Sequence, residues 1–173
     1  DLIRNEAAVQ KRGGKAYIAM KANGLIDSDI IAELYRASIA GVRIDLSIRG
    51  LCCLRPGIKG ISETIRVTSV VDRFLEHSRI YYFENDGNPK MYMGSSDMMP
   101  RNLIARVEVL FPVLDPEMLM QIREKILKIN LEDNVKARVL QSDGTYVIPP
   151  RKAGTKRLRS QEWFIENRGV WHG

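Results

Sequence analysis

The order of hydrophobic patterns predicts an α/β fold with a mixed β-sheet flanked by helices. Three observations carry this. Residues 15–48 read strand, helix, strand, a βαβ unit that sets two strands parallel with a right-handed crossover. Residues 78–94 read as two strands around Asn85-Asp86-Gly87-Asn88, which is an antiparallel hairpin. A long helix follows from Asp115 to Leu131, with Pro116 suited to its first turn.

Each element has its own signal. Residues 1–12 form an amphipathic helix with Leu2, Ile3, Ala7 and Val9 on an imperfect apolar stripe, ended by Gly13-Gly14. Lys15 to Asn23 alternates and reads as a strand. Asp27 or Ser28 caps the next helix, Ile30, Ile31, Leu34 and Ala37 supply its buried face, and Gly41 closes it. Val42 to Ile48 is the second strand. Leu51 to Ser62, with Pro56, Gly57 and Gly60, is too long for a simple connector and suits a substrate loop. Ile65 to Ser69 reads as a short strand and Val70 to Glu76 as one or two helical turns. Ser78 to Glu84 is a strand rich in aromatic and β-branched residues, and Lys90 to Gly94 pairs back on it. Arg106 to Val113 and Val135 to Leu140 are the last strands expected. Residues 1–140 thus form the main lobe. Residues 141–173 read as a basic extension of the same domain, with a short helix from Leu158 to Glu166.

Composition bounds the function. The 173 residues suit one domain with a real core, and the 45% hydrophobic and 28% charged content is that of an ordinary globular chain. No apolar run approaches the ~18 residues of a membrane span. No signal peptide is visible at Asp1, and the chain opens without Met inside a helical pattern, as a piece of a larger protein would. The 27 Lys and Arg against 21 Asp and Glu leave a net charge of +6, which favours an anionic partner. A nucleic-acid binder would show a denser basic face with aromatics between the charges, so no specific nucleic acid is expected. Cys52 and Cys53 are neighbours, for which a disulfide is strained; free thiols in a reducing compartment follow. Two cysteines and two distant histidines do not make a metal site. In the tail, Arg151, Lys152, Lys156, Arg157 and Arg159 come with no acid among them. They suit a solvated tail, a guide for polyanions or a contact with another domain.

Ligands of open α/β sheets bind beyond the carboxyl ends of the strands, where Asn23-Gly24 and Arg49-Gly50 fall. His77 is the one internal histidine, the other being His172 in a terminus that reads as frayed. A neutral imidazole can act as nucleophile, general base or donor to phosphate, although a lone histidine is as readily a structural one. Where the strand includes it, His77 shares a face with Arg79. The Gly94-Ser95-Ser96-Asp97 turn offers backbone N–H groups and hydroxyls to phosphate oxygens, and arginines such as Arg101 offer forked donors. Arg106, among Val107, Val109 and Leu110, either snorkels out or faces a polar site. The His-x-basic pair followed one hairpin later by Gly-Ser-x-polar resembles the layout of phospholipase D-like phosphotransfer sites.

The combination is more specific than its parts. Residues 46–85 (LSIRGLCCLRPGIKGISETIRVTSVVDRFLEHSRIYYFEN), KANGLID at 21–27, SSDMMPRN at 95–102 and Arg106-Val107-Glu108 resemble the C-terminal domain of the long, multidomain bacterial polyphosphate kinases. The likeness runs from Asp1 to about Arg138 and more weakly into the basic tail. It implies a phospholipase D-like lobe of an enzyme that moves the terminal phosphate of ATP onto inorganic polyphosphate, reversibly, with Mg²⁺ and through a phosphohistidine. That histidine belongs to a preceding lobe which this chain lacks. The likeness also implies that Arg49 binds nucleotide, that His77 contacts nucleotide as an acid/base partner and that Arg106 binds phosphate. Position alone suggests phosphate roles for Arg101, Asn23, Ser95 and Ser96. Where the family often has an aromatic and a Thr before Arg101-Asn102, this chain has Met98-Met99-Pro100 after Asp97, a change of packing more than of charge.

The expected partners are ATP or ADP, inorganic polyphosphate and the missing N-terminal domains, in a homo-oligomeric full enzyme. The expected location is cytoplasmic, with peripheral attachment at the inner membrane face open for the parent. The isolated lobe should carry half an active site and little or no catalysis. Two other readings stay open: a phospholipase D-like phosphodiesterase, and a non-catalytic polyanion-binding module. Against the first, Arg79 stands where such enzymes carry Lys, and Ile80 to Phe83 bring no Asp.

Overall fold

The computed structural model describes residues 1–151 and 154–168. Lys152 of the basic cluster and His172 lie outside the described residues. The described chain forms one eight-stranded mixed sheet in the order β6-β5-β4-β1-β2-β3-β7-β8. The strands are β1 (Tyr17–Ala22), β2 (Arg43–Ile48), β3 (Ile65–Val70), β4 (Arg79–Phe83), β5 (Lys90–Gly94), β6 (Leu110–Pro112), β7 (Ala137–Leu140) and β8 (Tyr146–Val147). The expected βαβ unit is present: β1 and β2 are parallel and α2 (Ser28–Ile39) connects them. β3 adds a third parallel strand, and every other pairing is antiparallel.

Side-chain alternation sorts the core into two layers. Ile18 and Met20 of β1 face one way, with Ile44, Leu46 and Val67, beneath α1 (Leu2–Lys11) and α2. Ala19, Ile80, Tyr82 and Met91 face the other way, against Leu119, Ile122, Leu127 and Leu131. The covering helix begins as α4 (Pro116–Ile122), capped by the Asp115 carboxylate on the Met118 amide at 2.8 Å. It continues through a π-helical stretch, Arg123–Leu127, into α5 (Lys128–Leu131). The expected single helix is therefore three consecutive segments. In the π segment Arg123 places its guanidinium 5.0 Å from the Tyr82 ring centroid.

Two expectations are corrected. Val70 closes β3, and residues 71–78 are irregular rather than helical; Val71, Arg73, Phe74 and Leu75 all face solvent and offer no apolar stripe to bury. The strand expected from Arg106 is only Leu110–Pro112. Pairing stops where Gly94 of β5 meets Leu110. Arg106 lies instead on the bend after a short helix α3 (Pro100–Ile104). Past residue 140 the extension, expected as part of the same domain, packs onto the body in its described residues. It adds β8 against β7, and α6 (Ser160–Glu166) is held close by buried contacts.

Asp133 makes that attachment. Its Oδ1 accepts the amides of Val135, Lys136 and Ala137 at 2.9, 2.7 and 3.2 Å. Its Oδ2 accepts both the amide and the hydroxyl of Ser160 at 2.8 Å. Asp133→Ala would leave the Ala137 and Ser160 donors buried without this acceptor. We expect a loss of about 3 kcal/mol in urea unfolding. An unchanged midpoint would show that water replaces the carboxylate freely.

Candidate phosphate-binding site

The strand directions gather the candidate residues at one end of the sheet. β1 and β2 deliver Asn23 and Arg49 there, just past their carboxyl ends. β4 runs antiparallel to β1, so its entry, His77-Ser78-Arg79, arrives at the same end. β5 leaves through Gly94, which pairs with Arg79, and the segment before β6 brings Glu108 alongside. The backbone of Gly94 nearly touches this segment. A Cβ there would sit 2.0 Å from the Val109 carbonyl oxygen, so only glycine permits the approach.

A buried carboxylate, Asp97, joins these strand ends. Its Oδ1 accepts the amides of Asn23 and Gly24 at 2.7 and 3.3 Å and Arg79 Nε at 3.3 Å. Its Oδ2 accepts Arg79 Nη2 at 2.9 Å and Asn23 Nδ2 at 3.3 Å. The Asn23 Oδ1 then accepts Arg49 Nε and Nη2 at 3.2 and 2.8 Å. Arg79 Nη1 donates to the His77 carbonyl at 2.7 Å. A continuous chain thus runs from Arg49 through Asn23, Asp97 and Arg79 to the backbone of His77. Burial alone would raise the Asp97 carboxyl. The hydrogen bonds from Arg79 and Asn23 outweigh it and hold the group below the usual carboxylate range.

Beside this chain Lys21 of β1 is buried, with its ammonium 3.2 Å from Glu76 and 2.9 Å from the Ser78 hydroxyl. Burial pulls the Lys21 ammonium below its ordinary range, against the charge of Glu76.

The arginines fall into two kinds. Arg79 is neutralised by Asp97. Arg49, Arg101 and Arg106 form no ion pair among the described residues; Arg101 and Arg106 are exposed and Arg49 half-buried. His77 is exposed and precedes the strand, so its imidazole is not set by the β alternation that would have placed it beside Arg79. The hydroxyls of the turn have partners within the chain. Ser95 Oγ donates to Glu108 and accepts the Val109 amide at 3.1 Å, and Ser96 Oγ donates to the Asp97 carbonyl at 3.1 Å. Glu108 also accepts from Asn102 at 2.5 Å, and these two hydrogen bonds, from Ser95 and Asn102, lower its carboxyl.

Sequence reasoning did not single out Asp97, Lys21 or Glu76. The signals were thin: an acid ending a Gly-Ser turn, and a lysine in a strand that is otherwise apolar around Asn23. Mg²⁺ is expected with the nucleotide and not on ligands from this chain. Among the described residues no group of three or more His, Cys, Asp or Glu could hold a metal ion, and Asp97, Glu76 and Glu108 already serve as acceptors for donors of the chain. Cys52 and Cys53 are both free thiols, as expected; burial pushes the Cys52 thiol up to about 11.

A family profile described as polyphosphate kinase C-terminal domain 2 matches residues 1–161. The chain belongs to this family. The domain is 48% identical over 168 residues to polyphosphate kinase 1 of Chlorobaculum tepidum, covering 97% of this chain and 24% of that protein. It is 52% identical over 163 residues to a polyphosphate kinase of Lactiplantibacillus plantarum, covering 94% of this chain and 22% of that one. The crystal structure of polyphosphate kinase from Porphyromonas gingivalis superposes with a TM-score of 0.91 at 42% identity, over 98% of this chain and 26% of that one. The domain therefore spans about a quarter of the length of the relatives it matches. A phospholipase D family member, Nuc from Salmonella typhimurium, superposes with a TM-score of 0.57 at 16% identity, over 80% of this chain and 91% of that one. That likeness shows the shared fold.

The Asp97 carboxylate makes stability pH-dependent in a defined direction. Its folded pKa is depressed, so its contribution is present above the unfolded value of about 3.9 and is lost as pH falls through the folded value. At pH 7 Asp97→Asn should cost about 3 kcal/mol, because Arg79 keeps its charge and loses its partner. Urea midpoints of wild type and variant should converge as pH falls below about 4. A gap that stayed constant to pH 2.5 would mean the Asp97 proton is not linked to folding.

Proposed function

We propose that this domain forms the nucleotide- and phosphate-binding wall of a phosphotransfer site. There the terminal phosphate of ATP passes reversibly to inorganic polyphosphate, by way of a phosphohistidine in a part of the protein that precedes this chain. The relatives' name, polyphosphate kinase, supports the substrate class. The observation that carries the reading is the division among the arginines. Asp97 neutralises Arg79, while Arg49, Arg101 and Arg106 keep their charge on the same sheet end. Phosphoryl transfer spreads charge over three oxygens, and positioned cationic donors are what stabilise it. Arg49 is aimed by Asn23, which uses its Nε and Nη2 and makes no demand on Nη1. His77, exposed and held through its backbone carbonyl, can bring its ring to the nucleotide as donor or acid/base partner. Mg²⁺ enters this reading with the nucleotide phosphates, whose charge it offsets.

The phosphodiesterase reading shares the fold. Its basic residue after the histidine would be Arg79, which is spent on Asp97 and on the His77 carbonyl.

The test is ³¹P NMR of polyphosphate synthesis from ATP by the full-length enzyme. His77→Ala should abolish the polymer signal with folding preserved. Normal synthesis would return His77 to a structural role. For Arg49→Ala, calorimetry should show ADP affinity falling about tenfold or more, since a hydrogen bond to a charged group contributes roughly 1.5–3 kcal/mol. Equal affinity in wild type and variant would remove Arg49 from the nucleotide site.

A further inference from the structure

His77 sits in a segment that burial does not hold. Residues 71–78 have no regular secondary structure, and Val71 and Leu75 expose 67% and 76% of their surface. Polar anchors hold the segment instead, and the outer ones come from the C-terminal extension. Arg159 grips the Asp72 carboxylate with Nε and Nη2, both at 2.7 Å, and also bonds Glu162 of α6. The bidentate guanidinium keeps the Asp72 carboxyl below its usual range.

Gln161 is only 5% exposed, and its amide closes on the Phe74 backbone from both sides. Oε1 accepts the Phe74 N–H at 2.8 Å, and Nε2 donates to the Phe74 carbonyl at 2.8 Å. The same Nε2 donates to Glu76 Oε1 at 3.1 Å, while Glu76 Oε2 lies 3.2 Å from Lys21 Nζ. Lys21 in turn holds the Ser78 hydroxyl. Both neighbours of His77 are thus tied down, one of them to a side chain of the tail helix.

We propose that Gln161 of α6, seconded by Arg159, is a positioning residue that sets the place of His77 in the phosphotransfer site. This rests on the functional reading of His77 above. It gives the basic extension a role other than a solvated tail: its arginine and glutamine face inward to the site-bearing segment. A side chain displaced by even 1 Å from productive geometry can lose up to ~100-fold in rate. The chemistry of the amide also matters. Gln161→Glu keeps an acceptor for the Phe74 amide, loses both Nε2 donations and sets a carboxylate against Glu76. Protonating the new carboxyl restores one donor.

The experiment compares full-length wild type, Gln161→Ala, Gln161→Glu, His77→Ala and, as a stability control on the far layer, Leu119→Ala. We expect Gln161→Ala to lower kcat of polyphosphate synthesis about tenfold while Leu119→Ala, with comparable loss of stability, keeps it within twofold. The ratio of Gln161→Glu to wild-type kcat should rise several-fold from pH 8 to pH 5.5. Wild-type kcat and a flat pH ratio in both Gln161 variants, beside an inactive His77→Ala, would overturn the inference and leave the functional reading standing. A fully active His77→Ala would overturn the functional reading and this inference with it. Should Gln161→Ala fail to fold, the near-isosteric Gln161→Glu decides through the same pH ratio.

Discussion

Several cationic side chains crowd one end of the sheet, and left alone they would repel one another and drift into water. The Asp97 carboxylate prevents this for Arg79 directly and for Arg49 through Asn23. It is buried, it takes two side-chain donors from Arg79, and it takes the amides of Asn23 and Gly24 together with the Asn23 side chain. A carboxylate with that many donors is held ionised in a low-dielectric place, and its two shortest bonds are those to the Asn23 amide and Arg79 Nη2. The order it imposes reaches outward. Asn23, fixed by Asp97, fixes Arg49, and Arg79, fixed by Asp97, fixes the backbone of His77.

The topology makes a single carboxylate sufficient. β1 and β2 are parallel and finish together, and β4 is antiparallel to β1 and so starts where they finish. The hairpin returns β5 to the same end, and Gly94 lets the chain before β6 lie against it. Four strands therefore release or receive their chain within reach of one side chain. These ends are held firmly because β1, β2 and β4 behind them are buried along most of their length and cannot shift independently.

A second level of order comes from the far end of the sequence. Asp133 binds the start of α6, and α6 then reaches back with Arg159 and Gln161 to a segment more than eighty residues earlier in the chain. The extension is acidic and amide chemistry as much as basic charge. Its arginine nearest the helix is consumed by Asp72, which separates it from the exposed Arg151, Lys156 and Arg157.

Much of this was legible in the residues alone. The alternation of Lys15 to Asn23, the cap at Asp27 and the β-branched runs specified a βαβ unit and a hairpin, because period and capping are local properties. The motifs around Arg49, His77, Ser95-Ser96 and Arg101-Asn102 suggested phosphate as the ligand, since few residue types bind it well, and strand directions bring Asn23, Arg49, His77 and the Gly94 turn to one end of the sheet. Local patterns could not tell which cation would be neutralised and which left charged. Arg79 and Arg49 look equivalent in the sequence; a carboxylate eighteen residues from one and forty-eight from the other distinguishes them only after the strands have paired. The same holds for residues 71–78, whose helical look ignored the absence of a buried face, and for Gln161, whose partner is Phe74. Long-range hydrogen bonds have no period, so neither the clamp on Phe74 nor the hub at Asp97 has a signature along the chain until the fold brings its members together.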